Sequence, residues 1–182
     1  KNKDNAVVYI GGDIAHSKTD MSPELVHQLS NLFKNLSDIC PTIIIAGNHD
    51  CNLNNLSRLD VLTPIVNNLN HPNLHYLKDS GVYKCADVSF VVWDCWTKEK
   101  DFILADDVEG DTKVVLFHGT VDRAETDLGF HLPSDVHIDK FKGYDLGLLG
   151  DIHKKQFLDK KETIAYCGSL VQQNHGEGLS HG

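Results

Sequence analysis

Short apolar runs and one helical pattern organise the first half of the chain. Residues 6–10 and 42–46 are rich in β-branched side chains and each leads into a glycine turn, which predicts two buried strands. Between them, Ser22-Pro23-Glu24 has the capping residue, proline and acid typical of a helix start. Leucine and phenylalanine then repeat at helical spacing from Leu25 to Leu36, so a helix is predicted between the two strands.

Strand patterns dominate the second half of the chain. The predicted strands comprise two hairpins and two single apolar runs, at residues 82–85 with 89–93, 114–117, 146–149 and 156–158 with 163–166. Residues 120–140 carry no clear pattern and are expected to form a surface loop. The order strand, helix, strand, helix and then mostly strands predicts an α/β sandwich rather than a simple doubly wound sheet, formed by residues 1–182 as one domain.

The stretch that joins the two halves is predicted from local signals. Ser57 is expected to cap a short helix, which Pro64 interrupts or restarts. His71 and His75 flank Pro72-Asn73 and are expected to lie in a loop.

Composition and charge narrow the class of protein. With 182 residues, 41% hydrophobic and 24% charged, the chain can form a packed, soluble domain. The formal net charge of -9 argues against a protein that grips nucleic acid with its whole surface, although clustered metal-binding carboxylates would also lower the charge. The five cysteines form no Cys-x-x-Cys pair and are odd in number, which favours a reducing compartment over a disulfide framework or a structural zinc site. No apolar run reaches ~18 residues and no signal peptide opens the chain, so neither a membrane span nor secretion is expected.

Candidate metal ligands follow four of the predicted strands. Each strand leads into a turn that combines glycine with aspartate, asparagine or histidine, at residues 12–16, 47–50, 118–119 and 150–153. Because the carboxyl ends of strands in open α/β sheets converge on one crevice, these side chains are expected to meet. Carboxylate, amide and imidazole groups together suit Mn²⁺, Fe²⁺ or Zn²⁺, whereas oxygen ligands alone would have indicated Mg²⁺ or Ca²⁺. Two ions about 3.5–4 Å apart could polarise a phosphodiester, activate a water and clamp the attacking and leaving oxygens.

An ordinary structural role is the alternative for each of these turns. Aspartate, asparagine and glycine favour turns in any protein, so one such group alone would indicate nothing more. Four groups, each at a strand end, favour a shared metal site. Asp151 by itself also fits an ordinary Asx-turn, and Cys51 fits a buried free thiol. Trp93 and Trp96 are expected in the core rather than stacked on nucleic-acid bases.

Three of the motifs resemble those of the calcineurin-like metallophosphoesterases, over about residues 6–178. They are Gly11-Gly12-Asp13-Ile14-Ala15-His16-Ser17, Gly47-Asn48-His49-Asp50 and Gly150-Asp151-Ile152-His153. The Asp-x-x-His-Ser part of the first motif is similar to the SbcD-type nucleases of DNA double-strand-break repair. Residues 168–177 resemble a Gly-Ser and Gln-Gln-x-x-Gly-Glu stretch of some viral and phage members. The resemblance implies a four-layer α/β/β/α sandwich.

The resemblance also implies a role for each site residue. Five residues would bind metal: Asp13 as the bridge between two ions, His153 at the first ion, and Asn48, His118 and Asp151 at the second. His49 would be the general acid or transition-state donor beside the leaving oxygen, with Asp50 orienting it. His16 would support the site from outside the set of ligands. Lys154 and His175 are candidate substrate contacts.

The chain departs from the family pattern in two places. The family usually has Gly-His-x-His where this chain has Gly150-Asp151-Ile152-His153, and the aspartate would shift the metal preference toward Mn²⁺. The Asp-x-His motif and the strand that usually precede Asp13 are missing, so the first metal site would be half encoded. We therefore expect a piece of a longer reading frame, truncated at both ends, that is weakly active or inactive as it stands. The sequence upstream of Lys1 would test this expectation.

The leading hypothesis is a Mn²⁺-dependent phosphodiesterase that acts on DNA as an exonuclease with two divalent ions, for which Fe, Zn or Mg are the alternatives to Mn. By resemblance, its partners would be DNA, an SbcC-type coiled-coil ATPase and a second copy in a homodimer. Its compartment would be the cytoplasm, the nucleus or a viral replication compartment. The alternatives are a phosphodiesterase or phosphatase for small nucleotides or phosphoproteins, and a non-catalytic domain that has lost its first metal site. The net charge of -9 favours a small substrate, whereas the resemblances at Ser17 and Gln172-Gln173 oppose it.

Overall fold

A computed structural model describes residues 6–17, 20–178 and 181 of the chain. The chain divides into two compact units, Lys1–Lys78 and Asp79–Gly182, each with its own sheet. The two sheets and their helices confirm the mixed α/β class that the sequence predicts. Within the described residues, no helix combines the length and the apolar character needed to cross a membrane.

The first unit is built on a parallel sheet of three strands. They are β1 (Val8–Ile10), β2 (Thr42–Ile44) and β3 (Leu74–Tyr76), in the order β1-β2-β3. The helix α1 (Pro23–Ile39) connects β1 to β2, and α2 (Thr63–Leu69) precedes β3. The two strands predicted in this region are confirmed. The buried run of the second continues through Ile45 and Ala46, beyond the last paired residue of β2.

The predicted start of α1 is confirmed. The Ser22 hydroxyl accepts a hydrogen bond from the Leu25 N–H at 3.2 Å, and Pro23 lies in the first turn. The helix buries Leu29 and Phe33 in an apolar cluster with side chains of the sheet and of α2. Partly buried residues at the end of β1 pack against the same cluster. Helix packing therefore fixes the strand that leads to Asp13.

The prediction of a helix that begins at Ser57 is wrong. Residues 51–62, all of them described, form turns and bends, and the Ser57 hydroxyl donates to Asn55 Oδ1 at 2.6 Å. A local side-chain bond of this kind competes with capping. The helix instead begins at Thr63, with Pro64 in its first turn, where the missing N–H costs nothing.

The prediction that His75 lies in a loop is also wrong. His75 is the middle residue of β3, between the buried Leu74 and the half-buried Tyr76. A strand of three residues is too short to show an alternating pattern in the sequence. Its pairing with β2, from Thr42–Leu74 to Ile44–Tyr76, supplies the stabilisation instead.

The second unit contains a mixed sheet of six strands in the order β4-β5-β6-β7-β9-β8. They are β4 (Gly81–Cys85), β5 (Val88–Trp93), β6 (Thr112–His118), β7 (Leu146–Gly150), β8 (Gln156–Phe157) and β9 (Ile164–Tyr166). Both predicted hairpins are confirmed as antiparallel pairs, β4 with β5 and β8 with β9. The strands β5, β6, β7 and β9 run parallel, which places His118 opposite Gly150 at one edge of the sheet.

The connections of the second unit are mostly irregular. Short 3-10 helices occur at Glu99–Asp101, Ala105–Asp107 and Ile138–Phe141. The loop predicted for residues 120–140 is confirmed as far as residue 137, as turns with one isolated bridge, although Val121 and Ala124 within it are fully buried. Those two side chains anchor the loop to the core.

Trp93 is central to the aromatic core of the second unit. Its ring is fully buried, stacks on Phe102 at 4.4 Å between ring centroids, and contacts Phe141 at 4.9 Å. Its Nε1–H donates to the Ile103 carbonyl oxygen at 2.9 Å, which also accepts the Tyr144 hydroxyl at 2.6 Å. The prediction that Trp93 lies in the core is confirmed, because its ring is buried and its N–H finds a hydrogen-bond acceptor inside the protein.

Asp60 makes the stability of the first unit dependent on pH. Its buried carboxylate accepts the Leu62 and Thr63 N–H groups at 2.9 and 2.7 Å and lies 3.0 Å from Lys78 Nζ. Burial raises the pKa of this carboxyl, but the hydrogen bonds from Thr63 and Lys78 outweigh burial and hold the pKa below its ordinary value. A lowered pKa stabilises the fold above the unfolded pKa of about 3.9, and the contribution is lost as the pH falls through the folded pKa.

We expect Asp60→Asn to be less stable than the wild type at pH 7, and this difference to shrink as the pH falls below about 4. Urea unfolding of both proteins at pH 7 and at pH 3 measures the difference. Asp20→Asn, at an exposed aspartate of the same unit, is the control. A difference that stays constant between the two pH values would contradict the assignment.

Candidate metal centre

Asp13 lies in a strained turn directly after β1. Gly12 and Asp13 have φ angles of 88° and 53°, a left-handed conformation that glycine adopts freely and aspartate only at a cost. Asp13 Oδ1 accepts the His49 N–H at 2.9 Å. A Cβ atom on Gly47 would lie 2.2 Å from the same oxygen, so only glycine leaves room for it. Strain of this kind at an exposed carboxylate is typical of functional sites.

Asp50 joins the two turns of the first unit. Its side chain is fully buried, and Oδ1 accepts the N–H groups of Ile14 and Ala15 at 3.0 and 2.9 Å. Oδ2 accepts the Gly47 N–H at 2.9 Å. One carboxylate therefore holds the backbone directly after Asp13 and directly before Asn48. The orientation of His49 by Asp50 stays a prediction.

His49 is held by His16, whose ring lies beside it. Nδ1 of His49 lies 3.1 Å from the carbonyl oxygen of His16, and the two rings stack at 5.6 Å between centroids. A carbonyl oxygen only accepts hydrogen bonds, so Nδ1 of His49 carries the hydrogen. Nε2 of this exposed ring is then the nitrogen that can exchange a proton with a ligand.

The buried thiol predicted for Cys51 is confirmed. Its side chain is buried directly after this turn. Burial, together with the nearby Asp60 and Asp50 carboxylates, raises the pKa of Cys51 to about 12. The thiol is therefore neutral at physiological pH and acts as a packing group.

His118 and Asp151 come together in the second unit, at the ends of the neighbouring strands β6 and β7. The buried His118 has Nε2 3.8 Å from Asp151 Oδ1. Thr120, which sequence reasoning missed, donates its hydroxyl to Asp151 Oδ2 at 3.0 Å. Asp151 has a φ angle of 90°, so this second candidate ligand is also strained.

Tyr166 on β9 supports the turn after His118, a role that no sequence motif indicates. Its hydroxyl donates to the Gly119 carbonyl oxygen at 2.7 Å and accepts the Val121 N–H at 2.9 Å. Burial raises the pKa of this hydroxyl above its ordinary value, so it remains a donor.

His153 and Lys154 each have an acidic partner in the second unit. His153 Nδ1 lies 2.6 Å from Glu177 Oε1. Burial raises the pKa of Glu177, but hydrogen bonds from His153 and from the Gln173 backbone outweigh it and hold the pKa below its ordinary value. Lys154 Nζ donates to Glu125 Oε2 at 3.0 Å. His175 is exposed, so the substrate contacts predicted for Lys154 and His175 stay predictions.

The family model for calcineurin-like phosphoesterases matches residues 1–164. The chain belongs to this family. Calcineurin-like phosphoesterases are metal-dependent hydrolases, which places the chain in that class by family. The chain is also 43% identical over 190 residues to Uncharacterized protein R555 of Acanthamoeba polyphaga mimivirus. The match covers 98% of this chain and 14% of that protein, so the chain spans a small part of this relative's length.

The candidate ligands of this calcineurin-like phosphoesterase fit divalent metal ions. Asp13 in the first unit, and His118 with Asp151 in the second unit, offer carboxylate and imidazole groups of the kinds that bind metal ions. This mixture of oxygen and nitrogen donors suits Mn²⁺, Fe²⁺ or Zn²⁺. Gly47 leaves space at the carboxylate of Asp13, and Thr120 orients the carboxylate of Asp151.

A cavity of about 830 Å³ borders His118 in the second unit of this phosphoesterase. Its walls come from the end of β6 and from the segments 94–102 and 134–137. Lys98 and Lys100 lie on the first segment. The volume falls within the range of small-ligand sites, about 300–1,000 Å³.

Proposed function

We propose that this chain carries the metal centre of a phosphodiesterase that cleaves DNA, as an SbcD-type exonuclease does. The observation that carries the proposal is that Asp13 and Asp151 both have strained backbones, and that each lies in the turn that follows a strand and is accompanied by histidine. The family accounts for phosphoester hydrolysis. The DNA substrate is supported by the Asp-x-x-His-Ser motif at residues 13–17 and by the stretch at residues 168–177.

The proposed chemistry divides between metal ions and protein side chains. When bound, two divalent ions would polarise the phosphodiester and activate the attacking water. Asp13, Asn48, His118, Asp151 and His153 would hold them, with Mn²⁺ favoured over Fe, Zn or Mg by the carboxylate of Asp151. His49 would donate the Nε2 hydrogen of its protonated, imidazolium form to the leaving oxygen, and the neutral ring left behind would keep its Nδ1 hydrogen on the carbonyl oxygen of His16.

The cavity beside His118 is the proposed position of the reacting nucleotide. Lys98 and Lys100 on its wall would attract a phosphate group of the DNA backbone. The same lining also holds Asp94, Glu99 and Asp135, so the two lysines would act as individual phosphate contacts rather than as a basic surface. By resemblance, we further propose an SbcC-type coiled-coil ATPase and a second copy of the protein as partners.

The test is hydrolysis of linear duplex DNA and of bis(p-nitrophenyl) phosphate by the purified chain in Mn²⁺, with the protein in excess so that weak activity is visible. We expect DNA cleavage that EDTA abolishes and that falls by about 10²–10⁴-fold in His49→Ala. Glu109→Gln, at an exposed glutamate of the second unit, is the control expected to keep full activity. Equal activity of His49→Ala and the wild type would exclude the proposed acid.

A phosphodiesterase or phosphatase for small nucleotides is the second candidate. The net charge of -9 and the size of the cavity favour it. Cleavage of the small aryl ester without any cleavage of DNA would replace the DNA proposal by this one. A chain that binds metal but cleaves neither substrate would instead support a non-catalytic domain.

A further inference from the structure

The carboxylate of Glu177 is held in a fixed position beside His153. Oε1 lies 2.6 Å from His153 Nδ1 and accepts the Asn174 side-chain amide at 2.6 Å. Oε2 accepts the Gln173 N–H at 2.6 Å. The Glu177 side chain is only 6% exposed, whereas the His153 side chain is 46% exposed. The carboxylate therefore has three donors around it and little freedom to turn away.

The same segment also holds the backbone of His153. After β9, Gly168 turns the chain with a φ angle of 80°, and Ser169 N–H donates to the His153 carbonyl oxygen at 3.0 Å. The side chain of Gln172 donates to the Glu177 carbonyl oxygen at 3.0 Å, which closes the turn before Glu177. Residues 168–177 thus contact His153 at both its main chain and its ring.

We infer that Glu177 is a positioning residue that fixes the imidazole of His153 as a metal ligand. A carboxylate accepts hydrogen bonds, so it retains the hydrogen of the neutral ring on Nδ1 and leaves the lone pair on Nε2. A carboxylate behind a histidine ligand also fixes the direction of the ring and increases its basicity. The inference rests on the proposed function, because it takes His153 to be a ligand.

A purely structural ion pair is the competing explanation for the contact at 2.6 Å. In that case the ring of His153 would carry hydrogen on both nitrogens in the metal-free chain, and a metal ion could bind only by displacing one of them. The two explanations differ in how many of the two ring nitrogens carry a hydrogen at a pH where free histidine is neutral. Ring spectroscopy can therefore separate them without any measurement of activity.

The experiment records the ring ¹⁵N signals of His153 by NMR in the metal-free chain at pH 8, for the wild type, Glu177→Ala and Glu177→Gln. We expect a neutral Nδ1–H tautomer in the wild type, loss of that preference in Glu177→Ala, and partial retention in Glu177→Gln, whose amide oxygen can still accept. Glu109→Gln is the matched control. Thermal unfolding of each variant confirms that the fold is retained. A wild-type ring with hydrogen on both nitrogens, or one tautomer in all four proteins, would overturn the inference.

A Zn²⁺ titration of the same samples then tests whether His153 binds metal and whether Glu177 strengthens that binding. We expect Zn²⁺ to shift the His153 ring signals in the wild type, with an affinity that falls about 10–100-fold in Glu177→Ala. Equal affinity in the two proteins would overturn the positioning role. Wild-type ring signals that do not respond to Zn²⁺, with the tautomers as expected, would instead remove His153 from the proposed metal centre.

Discussion

Replacing Asp50 by alanine is expected to destabilise the first unit by about 3 kcal/mol or more, because a buried hydrogen-bonding group left unsatisfied costs about 1–3 kcal/mol. The fully buried carboxylate accepts the N–H groups of Ile14, Ala15 and Gly47. Alanine would leave three amides without this acceptor. These amides lie in the two turns that carry Asp13 and Asn48, so the geometry of the candidate ligands would change with the stability.

Asparagine at position 50 has nearly the shape of aspartate but no charge, so Asp50→Asn shows how much of the effect depends on the charge. Its oxygen could still accept the Ile14 and Ala15 N–H groups, but its amide nitrogen would then face the Gly47 N–H, which now lies 2.9 Å from Oδ2. Two donors cannot form a hydrogen bond, and a neutral acceptor is weaker than a charged one. We therefore expect Asp50→Asn to be less stable than the wild type and more stable than Asp50→Ala.

Urea unfolding measures these stabilities, and amide hydrogen exchange locates the change. Exchange at Ile14, Ala15 and Gly47 should accelerate in both variants, whereas exchange in the sheet of the second unit should be unaffected. Asp38→Asn, at an exposed carboxylate that pairs with Lys34, is the matched control and should change little. Unchanged exchange at the three amides in Asp50→Ala would refute the role assigned to this carboxylate.

The positions of the strands, and of the candidate ligands that follow them, were predictable because both patterns are local in the sequence. Apolar β-branched runs followed by glycine and a polar residue identify the ends of β1, β2, β6 and β7 without tertiary information. The helix start at Ser22-Pro23 is equally local, since the cap and the proline act on the adjacent turn. The helix expected at Ser57 failed because its hydroxyl bonds to Asn55 instead.

The supporting contacts of the candidate centre were not predictable, because each joins residues far apart in the sequence. Tyr166 reaches the turn after His118 across 47 residues, and Thr120 reaches Asp151 across 31. Neither residue belongs to a pattern that would distinguish it from an ordinary core tyrosine or loop threonine. The positive φ angle of Asp151 is likewise invisible in the sequence, since an aspartate after glycine also suits a common turn.

Replacing His118 by asparagine is expected to weaken binding of Mn²⁺ by more than about a hundredfold, since loss of a residue that only supports a ligand already costs about 10–100-fold. His118 is the last residue of β6, is 2% exposed, and has Nε2 3.8 Å from the carboxylate of Asp151. Asparagine keeps a polar group at the buried position. Alanine would also create a cavity, and the resulting loss of stability could not be separated from the loss of metal binding.

The effect can be measured as stabilisation by the metal, because an ion that binds only the folded state raises the free energy of unfolding. With Mn²⁺ at a hundred times the wild-type dissociation constant, the wild type should gain about 2.7 kcal/mol. A variant with an affinity a hundredfold lower should gain only about 0.4 kcal/mol under the same conditions. His131→Asn, at an exposed histidine of the same unit, should match the wild type and so exclude binding to surface imidazoles. If His118→Asn gained as much as the wild type, His118 would not be a ligand, and His153 would be the one imidazole left in the proposed donor set to distinguish it from a magnesium site.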